Sequence, residues 1–440
     1  MRMATHILAF VAAAVSTIAG ADETAVPLSL GDAIERARQA SGRLAQLRSL
    51  ETAAQAGERA ARAGRLPQVD VGVSYTRSSD VPELTILVPG AGPRTVFPNI
   101  PDSYRARAGL SLPLYTGGRV GAAIAAAESQ RTAAGNDLLS GEADLVLEVS
   151  AAYWSLVTSR ESARVLTEAV ASFEAHLGDA RNRQDQGMAA RNEVLAVQVE
   201  RDRAELSRLQ SASAAEVAHA NLLRLLDLPR TARIDPVEPL AAPFTPAPEL
   251  DALATAALER RAELASLRAR ARASEAAVKV ARSASLPQAG LSAGYDYARP
   301  NTRVLPLVAE WKGTWSVAFS VGWTVFDGGR TSAAAAEAEA RAEAVRKQLQ
   351  DLEGKVRLEV TTRALELATA QAAVVVAERN LEAARENLRV SHDRYQEGVI
   401  ASSELLDAET VLLRAGLDRT AAVTQVQLAR ASLDRATGGP

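Results

Sequence analysis

The longest regular pattern lies toward the C-terminus. Apolar residues recur every seventh position at Val360, Leu367, Val374, Leu381, Leu388 and Tyr395. Small residues follow three positions after four of them, at Ala370, Ala377, Ala384 and Ser391, with charged residues such as Glu378, Arg379 and Arg385 between. This large-against-small beat predicts a helix with a narrow coiled-coil seam. Gly398 breaks the helix, since glycine turns a chain tightly at no steric cost. Leu405, Leu406, Leu413 and Leu417 then mark a return helix that Ser402 or Ser403 can cap. The product is a long antiparallel helical hairpin with a polar tip. A cytosolic coiled coil would carry the same pattern.

The pattern occurs twice. Leu114-Tyr115-Thr116-Gly117-Gly118-Arg119 returns as Val325-Phe326-Asp327-Gly328-Gly329-Arg330. The same offset carries Gln186-Gly187 onto Glu397-Gly398, Val194-Leu195 onto Leu405-Leu406, and Val149, Leu156, Val170 and Leu177 onto Val360, Leu367, Leu381 and Leu388. Leu66-Pro67-Gln68 returns as Leu286-Pro287-Gln288 at a slightly larger offset, so the intervening loop differs in length. A tandem duplication follows, each half reading helix, two strands, long hairpin.

Between these landmarks the period changes to two. Val69, Val71, Val73 and Tyr75 alternate with Asp70, Gly72, Ser74 and Thr76, and Tyr104, Ala106, Ala108, Leu110, Leu112 and Leu114 with Arg105, Arg107, Gly109 and Ser111. In the second half Leu291, Ala293, Tyr295 and Tyr297 oppose Ser292, Gly294 and Asp296. Trp311, Trp315, Val317, Phe319, Val321 and Trp323 oppose Lys312, Thr314, Ser316 and Ser320. Segments of roughly ten residues with one apolar face fit transmembrane β-strands. Tyr75, Tyr104, Tyr295, Tyr297, Trp311, Trp315 and Trp323 suit an aromatic girdle at the lipid interfaces. A soluble hairpin over a core is the alternative, but the flanking segments offer charged helices and no apolar sheet to pack on. Four strands cannot close a barrel, and lipid tolerates no open edge. A homotrimer would supply twelve strands.

The expected organisation is a signal peptide over 1–21, a first repeat over 22–227, a connector over 228–248 and a second repeat over 249–440. The first repeat holds strands 67–77 and 104–116 and hairpin 120–226; the second holds strands 287–298 and 311–327 and hairpin 330–436. The outgoing helices reach roughly 100 Å at 1.5 Å per residue. Their shorter returns are extended by helices near 44–63 and 262–283. Residues 78–103 and 299–310 read as strand-connecting loops, and the connector, with six prolines, as an ordered or small mixed segment.

Composition agrees. Aromatic residues make up only 4%, while Ala, Arg, Glu and Leu dominate, as in extended helices rather than compact cores. Arg2, the apolar run Ile7–Val15 and the small residues Ala19-Gly20-Ala21 read as a cleaved secretory signal. No later run reads as a membrane-spanning helix of ~20 uncharged apolar residues. With Arg2 removed the formal charge moves from −3 to −4, which gives no reason to propose nucleic acid. The chain has no Cys, which excludes disulfides, thiolate metal sites and lipidation at an N-terminal Cys.

With these landmarks in order, the chain resembles the TolC-like outer-membrane efflux protein family over nearly its whole mature length. The resemblance rests on the opening Leu28-Ser29-Leu30-Gly31-Asp32-Ala33-Ile34, on the Leu-Pro-Gln and Gly-Gly-Arg boundaries, and on the two tips. It implies a mainly α fold with a membrane β-barrel: a trimeric channel crossing the outer membrane of a Gram-negative bacterium, with a long periplasmic helical tunnel. It further implies a periplasmic adaptor and an inner-membrane transporter as partners, exporting drugs, metals or other toxic compounds. The conduit of a type I protein secretion system is the alternative. Gln186, Gly187, Met188, Glu397, Gly398 and Val399, continuing to Ala189 and Ile400, would form the adaptor-docking tips. Glu404 and Asp407, three residues apart on one helix face, Glu193 and Tyr395 would line the tunnel entrance, where threefold rings of carboxylates attract cations. First-turn acidic residues also favour the helix macrodipole unaided. Ile400 stands where the family pattern would place a gate-locking Arg.

No catalytic constellation or cofactor site is visible, so no enzyme is expected. Outside the signal, His176, His219 and His392 each stand alone on a charged helix and read as solvated residues. Gly-Gly-Arg reads as a strand-to-helix turn rather than an anion nest. A periplasmic adaptor would carry one hairpin between soluble β-domains, and a plain coiled coil would leave the strands and tryptophans unexplained.

Overall fold

The computed structural model describes residues 26–90, 92–242 and 249–439, so the signal expected over 1–21 lies outside the described residues. Helices rich in Ala, Leu, Glu and Arg, strong helix formers all, make up most of it. In order they are α1 (Leu30–Ala40), α2 (Gly42–Ala63), α3 (Arg119–Asp185), α4 (Arg191–Leu225), α5 (Leu250–Arg260), α6 (Ala262–Arg282), α7 (Arg330–Gln396) and α8 (Ser402–Ala436). The strands are β1 (Val26–Leu28), β2 (Gln68–Arg77), β3 (Leu84–Val88), β4 (Gly92–Phe97), β5 (Asp102–Tyr115), β6 (Ile234–Pro236), β7 (Gln288–Arg299) and β8 (Lys312–Gly322). The chain forms two compact units, one of Met1–Ser41, Glu148–Phe244 and Ala370–Leu428, the other of Gly42–Leu147, Thr245–Thr369 and Ala429–Pro440.

The second unit holds an antiparallel sheet of order β2-β5-β7-β8. Its register aligns Val69, Leu110, Ala293 and Val317 in one row, Val71, Ala108, Tyr295 and Trp315 in the next, and Leu112, Leu291 and Phe319 beyond. The opposite face carries Asp70, Gly109, Gly294 and Ser316, then Gly72, Arg107, Asp296 and Thr314. The apolar face is bare: Val73 is 83% exposed and Trp315 74%. A contiguous apolar surface of this kind marks an interaction site rather than a finished exterior. Both β2 and β8 have only one neighbour in the sheet.

The strand expected over 311–327 is corrected here, since β8 ends at Gly322. Gly322 pairs with Gln288, the first residue of β7, so no partner remains beyond it. The Trp323 indole N–H instead donates to the Ser285 carbonyl at 2.9 Å. Asp327 then takes N–H donations from Gly329 (3.1 Å) and Thr331 (2.9 Å), starting α7. The Thr331 hydroxyl, together with those two N–H groups, holds its carboxyl below the usual range. The Gly-Gly pairs before α3 and α7 all have positive φ, as the turn reading requires.

The loop expected over 78–103 is also corrected, because it contains the hairpin β3–β4 around Gly90 and Gly92, both at positive φ. The alternation of Thr85 and its apolar neighbours was short enough to be masked by the surrounding prolines and glycines.

α7 follows the heptad reading: Val360, Leu367, Val374, Leu381 and Tyr395 are buried, with Ala370, Ala377 and Ala384. One stretch of α7, where Ala and Val crowd, is apolar enough by length and composition to cross a membrane, although charged residues such as Glu366 and Glu378 interrupt it. In the first unit Phe173, Leu177, Val194, Val197 and Leu406 form a core joining α3, α4 and α8.

The first unit also orders part of the connector. β6 pairs in parallel with β1, aligning Val26 with Ile234. Tyr153 donates its hydroxyl to the Leu28 carbonyl (3.1 Å) and bonds the Glu238 carboxylate, whose other oxygen accepts Leu30 N–H at 2.7 Å. His219, expected to be solvated, is instead buried, and its Nε2 accepts the Ile234 N–H at 3.2 Å. Burial, aided by the positive charge of Arg160 and Arg233 and opposed by Glu216, holds its pKa below the ordinary 6.5. The unfolded chain therefore binds this proton more readily than the folded one. The stabilising contribution is complete above the unfolded pKa of 6.5 and is lost as pH falls below it. Urea midpoints at about pH 8 and about pH 5 should show this loss, and His219→Gln should flatten the difference.

Candidate functional site

The two hairpin ends use the same backbone device. Gly187 N–H donates to Gln184 O (2.9 Å) and Met188 N–H to Arg183 O (2.8 Å). Gly398 N–H donates to Tyr395 O (3.0 Å) and Val399 N–H to Arg394 O (2.9 Å). These nested bonds close a helix with a left-handed residue after it, and φ is +75° at Gly187 and +74° at Gly398. Gln186, Gly187, Met188, Glu397, Gly398 and Val399 are all exposed.

One pair of residues ties the ends together. The Arg183 guanidinium lies 4.0 Å from the centroid of the Tyr395 ring and donates to the Tyr395 carbonyl at 2.8 Å. Tyr395 is only 4% exposed, and its hydroxyl is buried without a hydrogen-bond partner among the described residues. It packs inside the hairpin end rather than lining an opening, as its place on the heptad seam dictates.

Beneath Tyr395 lies a polar network that sequence reasoning missed. His176, placed in solvent by that reading, is buried with its ring 5.4 Å from that of Tyr395. Its Nδ1–H donates to Glu409 Oε2 at 2.8 Å and its Nε2 meets Ser402 Oγ at 2.9 Å. Ser172 donates to the other Glu409 oxygen at 2.7 Å. Ser402 is thus engaged with His176, and α8 begins after Ala401, which has no side-chain acceptor. The only clue in the sequence was polarity at inward positions of α3 and α8. At the repeat offset Asn387, Arg191 and Gln198 stand for His176, Ser402 and Glu409. They offer neither an imidazole nor a carboxylate, so the repeat-related positions on α7 and α4 do not reproduce this network.

The expected entrance residues separate. Glu404 and Asp407 are exposed on one face of α8 and form no ion pair among the described residues. Glu193 is half-buried, and its Oε1 accepts the Ala190 N–H at 3.3 Å, so it caps its own helix. The structure joins none of these three to Tyr395. Of the aromatic residues, Tyr75, Tyr104, Tyr297 and Trp311 gather at one end of the apolar face, with Tyr297 and Trp311 stacked at 4.9 Å. Tyr295 and Trp315 sit further along it, and Trp323 at the other end.

This fold is that of known outer-membrane channels. The outer-membrane channel OprN shares 22% identity over 93% of this chain and 90% of its own, with a TM-score of 0.79. VceC of Vibrio cholerae shares 21% over 93% and 96%, at 0.79. The open state of MtrE of Neisseria gonorrhoeae shares 19% over 93% and 89%, at 0.77. None of the curated proteins matches the sequence. Residues 33–227 and 253–439 match the outer membrane efflux protein family, and the chain belongs to that family. It is a family of transport proteins, not of enzymes.

Glu409→Ala would leave His176 buried, and Ser172 half-buried, without their acceptor, at a cost of about 1–3 kcal/mol. Glu404→Gln, at an exposed site, should stay within about 0.5 kcal/mol of the parent chain. Denaturant unfolding of both variants measures the contrast.

Proposed function

We propose that three copies of this chain form the outer-membrane channel of a tripartite export system in a Gram-negative bacterium. The observation that carries this is the β2-β5-β7-β8 sheet, with one bare apolar face and an unpaired edge at each end. In lipid each unpaired backbone group costs several kcal/mol, so the edges must be satisfied by another chain. An edge β8 against a partner's β2 continues the antiparallel order, and three copies close a barrel of twelve strands. The apolar face then meets lipid and the face with Asp70, Arg107 and Asp296 meets water.

The helical hairpins extend the conduit into the periplasm. Their exposed ends at Gln186–Met188 and Glu397–Val399 meet the helical hairpins of a periplasmic adaptor, which delivers small toxic compounds from an inner-membrane transporter. Glu404 and Asp407, exposed and unpaired, face the tunnel near its mouth and favour cations there. Likeness to OprN and MtrE, described as outer-membrane channels, and to the outer membrane protein VceC supports this reading.

Native mass measurement in mild detergent should give a trimer; a stable monomer with a complete barrel would end the proposal. Bulky substitution at Gly187 or Gly398 forces a side chain into positive φ, at about 1–2 kcal/mol, and should abolish export while trimers persist in the membrane. In single-channel recordings, Glu404→Gln with Asp407→Asn should lower cation selectivity and block by multivalent cations. Unchanged selectivity would remove these carboxylates from the entrance.

A further inference from the structure

The two ends of the apolar sheet face differ in how their charges are satisfied. At the end near β3 and β4, Arg77 lies 3.2 Å from Asp102 and Lys312 2.8 Å from Glu310, Arg299 and Arg303 donate to the Ala309 (2.8 Å) and Trp315 (3.3 Å) carbonyls, and Arg94 is exposed with no ion pair among the described residues. At the other end, each of the four strand–helix junctions brings a basic residue. Arg65 follows α2, Arg119 starts α3, Lys279 lies in the last turn of α6, and Arg330 starts α7. All four are exposed and none forms an ion pair among the described residues. The acidic groups nearby are already occupied. Glu58 and Glu128 hold Arg62, Glu339 holds Arg282, and Asp327 accepts from Thr331 and Gly329.

Directly beside these cations the apolar face ends in aromatic residues. Tyr115 is in register with Ala289 and Val321, and Trp323 lies two residues beyond Val321 on the strand's continuation. Phe326 is 87% exposed. Along β5, Tyr104 and Tyr115 are about 36 Å apart at 3.3 Å per residue, which a tilt near 40° reduces to about 28 Å. That height matches a bilayer's apolar core, so the basic junctions fall at headgroup depth. A cleft of about 340 Å³ opens there, lined by Arg62, Arg65, Gly121, Ile124, Ala125 and Glu128.

We propose that these junctions form a collar that binds the phosphate headgroups of anionic phospholipid in the periplasmic leaflet, with Arg65, Arg119, Lys279 and Arg330 as its ligands. The inference rests on the membrane-channel reading above. Unpaired cations beside an interfacial aromatic belt attract anionic headgroups, and the aromatic rings fix the depth at which they meet. At the opposite end Arg77 and Lys312 are already held by carboxylates, which makes that pair the matched control.

The test reconstitutes the full-length protein in bilayers of phosphatidylcholine alone or mixed with phosphatidylglycerol, and reads retained lipid by native mass spectrometry. The parent chain should retain phosphatidylglycerol over phosphatidylcholine by roughly tenfold, and the fourfold variant R65Q/R119Q/K279Q/R330Q should lose that preference. The control R77Q/K312Q should keep it. Raising salt from about 0.1 M to about 1 M shortens screening from about 10 Å to about 3 Å, and should erase the preference of the parent chain without any substitution. Equal retention of both lipids by the parent chain, or a preference that survives the fourfold variant or high salt, overturns the collar. Failure of the parent chain to insert into either bilayer overturns the channel reading itself.

Discussion

The backbone's demand for hydrogen-bond partners governs this architecture. A strand buried in hydrocarbon cannot borrow water for its N–H and C=O groups, so a sheet with two free edges is incomplete in a membrane. Here the sheet has four strands, one face of bare Val, Trp and Phe, and edges at β2 and β8. The helices meet the same demand within themselves, which allows α3 and α7 to run 67 residues each without outside partners. Sheet and helices therefore place opposite requirements on assembly, one needing neighbours for its backbone and the other only for its seams.

The regular parts of the fold were legible because each repeats a period. The seven-residue beat from Val360 to Tyr395 marks residues buried along α7, with Leu388 half-buried. Alternation from Val69 to Tyr75 and from Leu291 to Tyr297 marks the apolar face of the sheet. Boundaries were less legible where partners decide them: Trp323 continues the alternation of β8 yet lies beyond the last residue its neighbour can pair with.

The polar contacts were not legible, because they join residues distant in sequence. His176 and Glu409 are 233 positions apart, and Leu30 and Glu238 are 208. A histidine on a charged helix has no local signature that separates a solvated residue from a buried one. Its partners come from tertiary packing, so His176 and His219 were misjudged by the same reasoning. Of the expected entrance group, Glu404 and Asp407 kept an exposed face, Glu193 became a cap, and Tyr395 went inside.

The His176–Glu409–Ser402 network has a consequence for symmetry. A trimer of a duplicated chain would carry six hairpins around its axis in near-equivalent positions. The network joins α3 of the first half to α8 of the second, and its repeat-related positions, Asn387 on α7 with Arg191 and Gln198 on α4, supply no imidazole–carboxylate pair. In the proposed trimer three seams would hold that buried pair and the three related by the repeat would not. The buried histidine–carboxylate pairs of such a trimer would therefore number three, although its hairpins number six.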